Sequence, residues 1–221
     1  MTGPKDTTAP GRRRDAQRNR ELLIEAAHDV FTEQGLHAPI DVIARRAGIG
    51  NATLYRHFPT RASLVDAVFR DLLTGTMTAG EEARTADDAW AGLTGYLGTV
   101  FSGLAADRGT NDLMTTHLDG VESLQAVHAH NRRTVELLLS RGHGQGAIRA
   151  DVTPEDVLFA LAALGRTVPA LTAAAGPDAW RRPLALLLDG LRATPAAAPL
   201  PSPALTAPQL NDALQGLGPQ H

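Results

Sequence analysis

Seven consecutive residues, Asn51-Ala52-Thr53-Leu54-Tyr55-Arg56-His57, bring together an amide, two hydroxyls, a guanidinium and an imidazole. Such groups donate and accept hydrogen bonds at base edges and at phosphate oxygens. Upstream, Arg12, Arg13, Arg14, Arg18 and Arg20 fall within nine residues. That density can neutralise phosphates and release their counterions, although a solvated basic tail carries the same residues. The net charge of −3 does not by itself announce a polyanion partner. Its distribution says more: residues 1–74 hold 11 Lys and Arg against 9 Asp and Glu, and the remainder holds 10 against 15.

Covalent and metal chemistry find less support. The chain has no cysteine, which removes disulfides, thiolate zinc sites and a cysteine nucleophile, and fits a cytoplasmic setting. His117, His128, His130 and His143 cluster in one stretch but show no metal-ligand spacing, and His128 and His130 are too close in sequence to share a helix face. There is no G-x-S-x-G, P-loop or dinucleotide-binding glycine fingerprint, and Asp and Glu are scattered without pairing. No enzyme, cofactor or metal is expected. No stretch approaches the ~20 apolar residues of a membrane span, and no apolar segment follows the N-terminal charges as a secretory signal would need.

The polar heptad needs helices to hold it, and the apolar spacing is helical nearly throughout. A first helix is predicted over about 14–34, with Leu22, Leu23, Ala26, Ala27, Val30 and Phe31 in one stripe and Gly35 closing it. A short second helix spans about 40–47, with Ile40, Ile43, Ala44 and Ala47 inward and Arg45 and Arg46 outward. The third runs from Asn51 to His57, with Leu54 and Phe58 inward. A fourth begins near Arg61, with Thr60 as its N-cap. Ala47-Gly48-Ile49 joins the second and third helices in a helix-turn-helix layout, where Gly48 supplies positive φ and Ile49 plugs the angle. The third helix then turns Asn51, Ala52, Thr53, Tyr55, Arg56 and His57 outward, its first residues towards a major groove.

The run Ile43-Ala44-Arg45-Arg46-Ala47-Gly48-Ile49-Gly50-Asn51-Ala52-Thr53-Leu54-Tyr55-Arg56-His57-Phe58-Pro59-Thr60-Arg61 resembles the DNA-binding signature of the TetR family of bacterial repressors. The resemblance covers about residues 18–70. It implies that Thr53, Tyr55 and His57 contact DNA, the latter two at phosphate, that Leu54 and Phe58 are core, and that Arg61 stands where a backbone-contacting lysine is usual. With Arg18, Arg45, Asn51, Ala52 and Arg56 these form the expected DNA-binding set. Four positions depart from the pattern. Gly50 replaces a capping serine and Ala52 a glycine, Ala38-Pro39 replaces a threonine, and Asn51 stands where a basic residue is frequent.

The implied architecture is all-α. An N-terminal three-helix DNA-binding domain (14–74) is joined by the fourth helix to a larger ligand-binding and dimerisation domain (75–193). It is flanked by a disordered basic arm (1–13) and a disordered Pro- and Ala-rich tail (194–221), where proline density argues against helix. Helices are expected over about 86–106, 110–119, 120–143, 154–175 and 178–193, and Gly142-His143-Gly144-Gln145-Gly146 reads as a linker too glycine-rich for helix. Thr153-Pro154-Glu155-Asp156 is a strong helix start. The family resemblance implies a homodimer through the last two helices, with Ala162, Ala163 and Gly165 permitting close approach. It also implies an effector pocket, for which Trp90, Phe101, Met114, His117 and Phe159 are candidates. The partners expected are therefore palindromic operator DNA with half-sites ~34 Å apart, a second subunit and a small-molecule effector. Two other classes remain open from sequence: a helical interaction module with a vestigial helix-turn-helix, which would lack salt-dependent duplex binding, and an enzyme.

Overall fold

The computed structural model describes residues 9–115, 120–195 and 198–216. Among the described residues it has ten α-helices and no strand: α1 (Ala9–Gln34), α2 (Ile40–Arg46), α3 (Asn51–His57), α4 (Arg61–Thr85), α5 (Ala89–Ala106), α6 (Arg108–Thr115), α7 (Glu122–Gly144), α8 (Pro154–Ala175), α9 (Arg181–Leu191) and α10 (Ala207–Gly216).

One apolar core joins α1 to α4 and takes in Leu113 of α6 and Leu124 and Val127 of α7. A second is built from α5, α7, α8 and α9 around Phe101, Leu138 and Trp180. α4 links the two. It starts in a capping box in which Ser63 N donates to Thr60 Oγ1 at 3.0 Å and Thr60 N donates to Ser63 Oγ at 3.2 Å. It passes unbroken through residue 74, where sequence placed a domain boundary.

Several expectations are corrected. α1 begins at Ala9, so residues 9–13 of the expected disordered arm are helical, with Pro10 in the first turn, where no amide hydrogen is required. Residues 1–8 lie outside the described set. Leu22 is 37% exposed because it sits at the rim of the α1 stripe, while Leu23, Ala27 and Phe31 are fully buried. α7 continues through Gly142-His143-Gly144, because Gly142 leaves room for the Ile148 side chain pressed against it. The tail expected to be disordered contains α10. Thr206 caps it, accepting from Gln209 N at 3.4 Å while Gln209 Oε1 accepts from Thr206 N at 2.9 Å. Pro208 falls in the first turn, where it does no harm. α8, finally, is apolar and long enough to cross a membrane by length and composition, with mean hydropathy 1.6. It nonetheless carries Glu155, Asp156 and Arg166, and packs its inner side on α5, α6 and α7.

α8 also contains Pro169. A proline has no N–H, so the Gly165 carbonyl one turn earlier loses its helical donor. Asn111 of α6, 3% exposed, supplies the replacement. Its Nδ2 donates to Gly165 O at 2.8 Å and to Leu104 O of α5 at 3.3 Å. A Cβ on Gly165 would stand 3.0 Å from Leu104 and 3.3 Å from Thr115, so glycine is what lets α6 come so close. Gly165 is therefore engaged within the chain, not held free for a partner subunit as sequence expected.

This linkage makes a double-mutant prediction. Asn111→Leu strands a buried carbonyl and lowers unfolding free energy by about 1–3 kcal/mol. Pro169→Ala restores the backbone donor, so the double variant should lose much less than Asn111→Leu alone. Urea denaturation midpoints check this, and simple additivity would refute the assignment.

Candidate nucleic-acid interface and ligand cavity

The turn between α2 and α3 is closed by backbone bonds from Ala47 N to Ile43 O (3.0 Å), Gly48 N to Arg45 O (3.1 Å) and Ile49 N to Ala44 O (2.9 Å). Gly48 adopts φ +66°, the left-handed conformation that its lack of a Cβ permits. Gly50 caps α3 without a side-chain bond. Leu54 and Phe58, one turn apart, fix the inner side of α3, and the Arg20 guanidinium lies over the Phe58 ring at 5.3 Å.

With that side fixed, Asn51, Ala52, Tyr55 and Arg56 share the exposed face of α3. Tyr55 is 51% exposed, a high value for so large a ring, so it is not a core residue. Thr53 and His57 flank this face and are half-buried. The His57 Nε2 is buried and finds no hydrogen-bond partner among the described residues. Desolvation, aided by Arg56 and Arg20, lowers its pKa below the ordinary imidazole value of 6.5.

The other expected cations divide by task. Arg18 and Arg45 are exposed. Among the described residues Arg45 pairs with Asp41 on its own helix at 3.0 Å, an exposed and therefore weak pairing. Arg46 is not simply outward-facing: it forms a bidentate bridge to Glu33, both distances 2.7 Å, tying α2 to α1 and holding the Glu33 carboxyl below the usual range. Arg61 donates to Leu36 O at 2.6 Å and to Ala38 O at 2.7 Å. It thus latches the α1–α2 connection to the start of α4, a task sequence reasoning missed because its partners are carbonyls.

A cavity of about 590 Å³ lies between α5, α6, α7, α8 and α10. Val100, Leu104, Met114, Leu158 and Leu161 form its apolar wall, and His128, Asn131 and Arg132 of α7 its polar side. The size suits a small organic molecule. Asn131 Oδ1 accepts from the Tyr96 hydroxyl, whose pKa burial pushes above its ordinary value, keeping it a donor.

Of the five pocket candidates, only Met114 lines this space. Trp90 lies under the Arg192 guanidinium at 4.8 Å. Phe101 is core, stacked on Trp180 at 6.0 Å. Phe159 is 37% exposed on the outer side of α8. His117 lies outside the described residues. The missed α7 group sits at positions i, i+3 and i+4, a polar stripe readable as one helix face. No three metal-ligating side chains converge among the described residues.

Residues 23–68 match a family model described as bacterial regulatory proteins of the tetR family, and residues 88–193 match the C-terminal domain of SbtR-like transcriptional regulators. Over 62 residues the chain is 44% identical to a helix-turn-helix-type transcriptional regulator of Staphylococcus aureus, a match covering 27% of this chain and about a third, 34%, of that relative. A TetR transcriptional regulator from Streptomyces coelicolor is 27% identical, with 79% of this chain and 99% of that one aligned at TM-score 0.52. SmeT, the repressor of the Stenotrophomonas maltophilia multidrug efflux pump SmeDEF, is similar in fold: TM-score 0.62 at 21% identity, over 86% of this chain and 100% of its own.

The His57 environment has a measurable sign. Just below pH 6.5 the folded protein holds fewer protons at His57 than the unfolded chain does. Its contribution to stability is therefore present above that pH and lost as pH falls through the folded value. An NMR titration should place His57 below 6.5, and a value at or above it would contradict the buried geometry.

Proposed function

Since the chain belongs to the TetR family of bacterial regulatory proteins, we propose that it is a homodimeric, DNA-binding transcription regulator whose grip on a palindromic operator is set by a small molecule in the α5–α8 cavity. The observation that carries this reading is the exposed face Asn51-Ala52-Tyr55-Arg56, presented on a helix anchored by Leu54 and Phe58. Exposed aromatic and guanidinium groups on a rigid short helix suit base edges and phosphates. Arg18 and Arg45 supply further phosphate contacts, and Thr53 and His57 contacts at the margin. Arg61 acts indirectly, by holding the loop before α2.

Dimerisation is supported by exposed, largely apolar surface on α8 and α9. Phe159, Ala163, Thr167 and Ala170 lie on the outer side of α8, away from the core positions Val157, Gly165 and Val168. On α9, Leu186 is 64% exposed. A second copy of these helices completes a four-helix bundle, and two reading heads then meet half-sites ~34 Å apart.

Effector control is supported by α6. Met114 lines the cavity and packs against both apolar cores. Three residues earlier, Asn111 is bonded to α5 and α8. Between them, Asp112 Oδ2 accepts from Leu36 N at 3.2 Å, in the connection that leads into α2. A ligand that displaces Met114 therefore displaces the support of the helix-turn-helix. It can weaken DNA binding by no more than its preference for the displaced state. In this reading the protein works in the cytoplasm, where a bacterial operator lies, and it has no catalytic step.

Electrophoretic shift assays with duplex from the upstream region of its own gene should show affinity falling steeply with salt. Tyr55→Ala and Arg56→Ala should each weaken binding about tenfold, about 1.4 kcal/mol, with unchanged thermal unfolding. Wild-type affinity in both would reject this face. Separately, Leu186→Asp should convert the dimer to monomer in sedimentation velocity, and a retained dimer would move the interface elsewhere.

A further inference from the structure

The tail after α9 is organised as a strap. Its start is pinned by Arg149 N donating to Leu191 O and Ala193 N to Ala147 O, both at 3.1 Å. Its middle is pinned by a bidentate Arg149–Asp151 pair at 2.7 and 2.9 Å. The same guanidinium donates to Ala198 O at 2.7 Å, and Asp151 Oδ2 accepts from Leu200 N at 2.9 Å. No hydrogen bond among the described residues holds 201–205. α10 then lies on α8, with Leu210 only 1% exposed, and Leu210, Asn211 and Leu214 close one side of the cavity. The rest of α10 is largely solvent-facing, so one leucine face holds it. Residues 194–216 also lie beyond both family-matched segments.

The lining indicates what such a wall retains. The cavity's one arginine, Arg132, is already paired with Glu155 at 2.9 Å and Glu136 at 3.8 Å. An anionic ligand would have to compete with two carboxylates, whereas an uncharged molecule meets mainly Val100, Leu104, Leu158, Leu161 and Leu210.

We propose that α10 is the gate of this cavity: a largely apolar, uncharged molecule enters and leaves as the chain's own C-terminal helix swings off α8 about residues 201–205. The proposal rests on the reading of the cavity as a ligand site. A gate that is mostly closed reduces the apparent association rate to the intrinsic rate multiplied by the fraction of time it is open.

The test uses the full-length protein and Nile red, a neutral solvatochromic dye, in stopped-flow fluorescence. Leu210→Ser loosens the seat of the gate. Arg149→Ala releases the strap far from the lining and guards against a packing defect at Leu210, with folding of each checked by circular dichroism. Both variants should raise the association rate constant, Leu210→Ser by about tenfold. Unchanged association rates in both variants would make α10 a fixed wall and overturn the gate. Leu161→Trp, which fills the cavity, separates the two readings. If it leaves dye binding intact, the ligand-site reading falls and the gate with it. If it abolishes binding while Leu210→Ser has no kinetic effect, only the gate falls.

Discussion

The molecule turns on one donated hydrogen bond, from the Asn111 amide to a carbonyl that a proline has orphaned. Pro169 opens the backbone ladder of α8 at Gly165, and the bare glycine lets α6 approach closely enough to fill the gap. A buried polar group without a partner is costly, so the position of α6 is set by satisfaction of that carbonyl as much as by apolar packing. From this anchored helix, Met114 faces the cavity and Asp112 supports the connection into α2. Both apolar cores share the helix. A shift on one side therefore has a mechanical route to the other.

Cations in the N-terminal half are divided between holding the reading head and equipping it. Arg20, Arg46 and Arg61 are spent internally, on a ring, a carboxylate and two carbonyls. Arg18 and Arg56 stay exposed, and Arg45 is only loosely engaged. The helices around α3 are thus held by charged groups turned inward, while α3 itself is fixed by Leu54 and by Phe58 under the Arg20 guanidinium. An arginine count would overstate the contact surface and understate its preorganisation.

The helix-turn-helix was legible in sequence because each local signal agreed with the next: a glycine at the only positive φ in the turn, apolar residues one turn apart in α3, and a threonine cap before α4. The role of Arg61 was not, since backbone acceptors leave no mark in the residue types around them. The cavity was mostly illegible for a geometric reason. Its lining comes from five helices far apart in the chain, and aromatic candidates such as Phe101 and Phe159 go to the core and to the outer surface instead. The last helix was a missed signal, because Thr206-Ala207-Pro208-Gln209 followed by Leu210, Ala213 and Leu214 is a capping box with an apolar face. Counting prolines without regard to position hid it.

The separation of Asn111 from Gly165 by 54 residues has a consequence during synthesis. On the ribosome, α1 to α3 and most of α4 emerge before any of α8 exists, and α6 follows with its amide still unanswered. A nascent chain therefore holds α1 to α3 before the carbonyl that anchors α6 exists, and Asn111 gains that partner only once the stretch through Pro169 has left the exit tunnel.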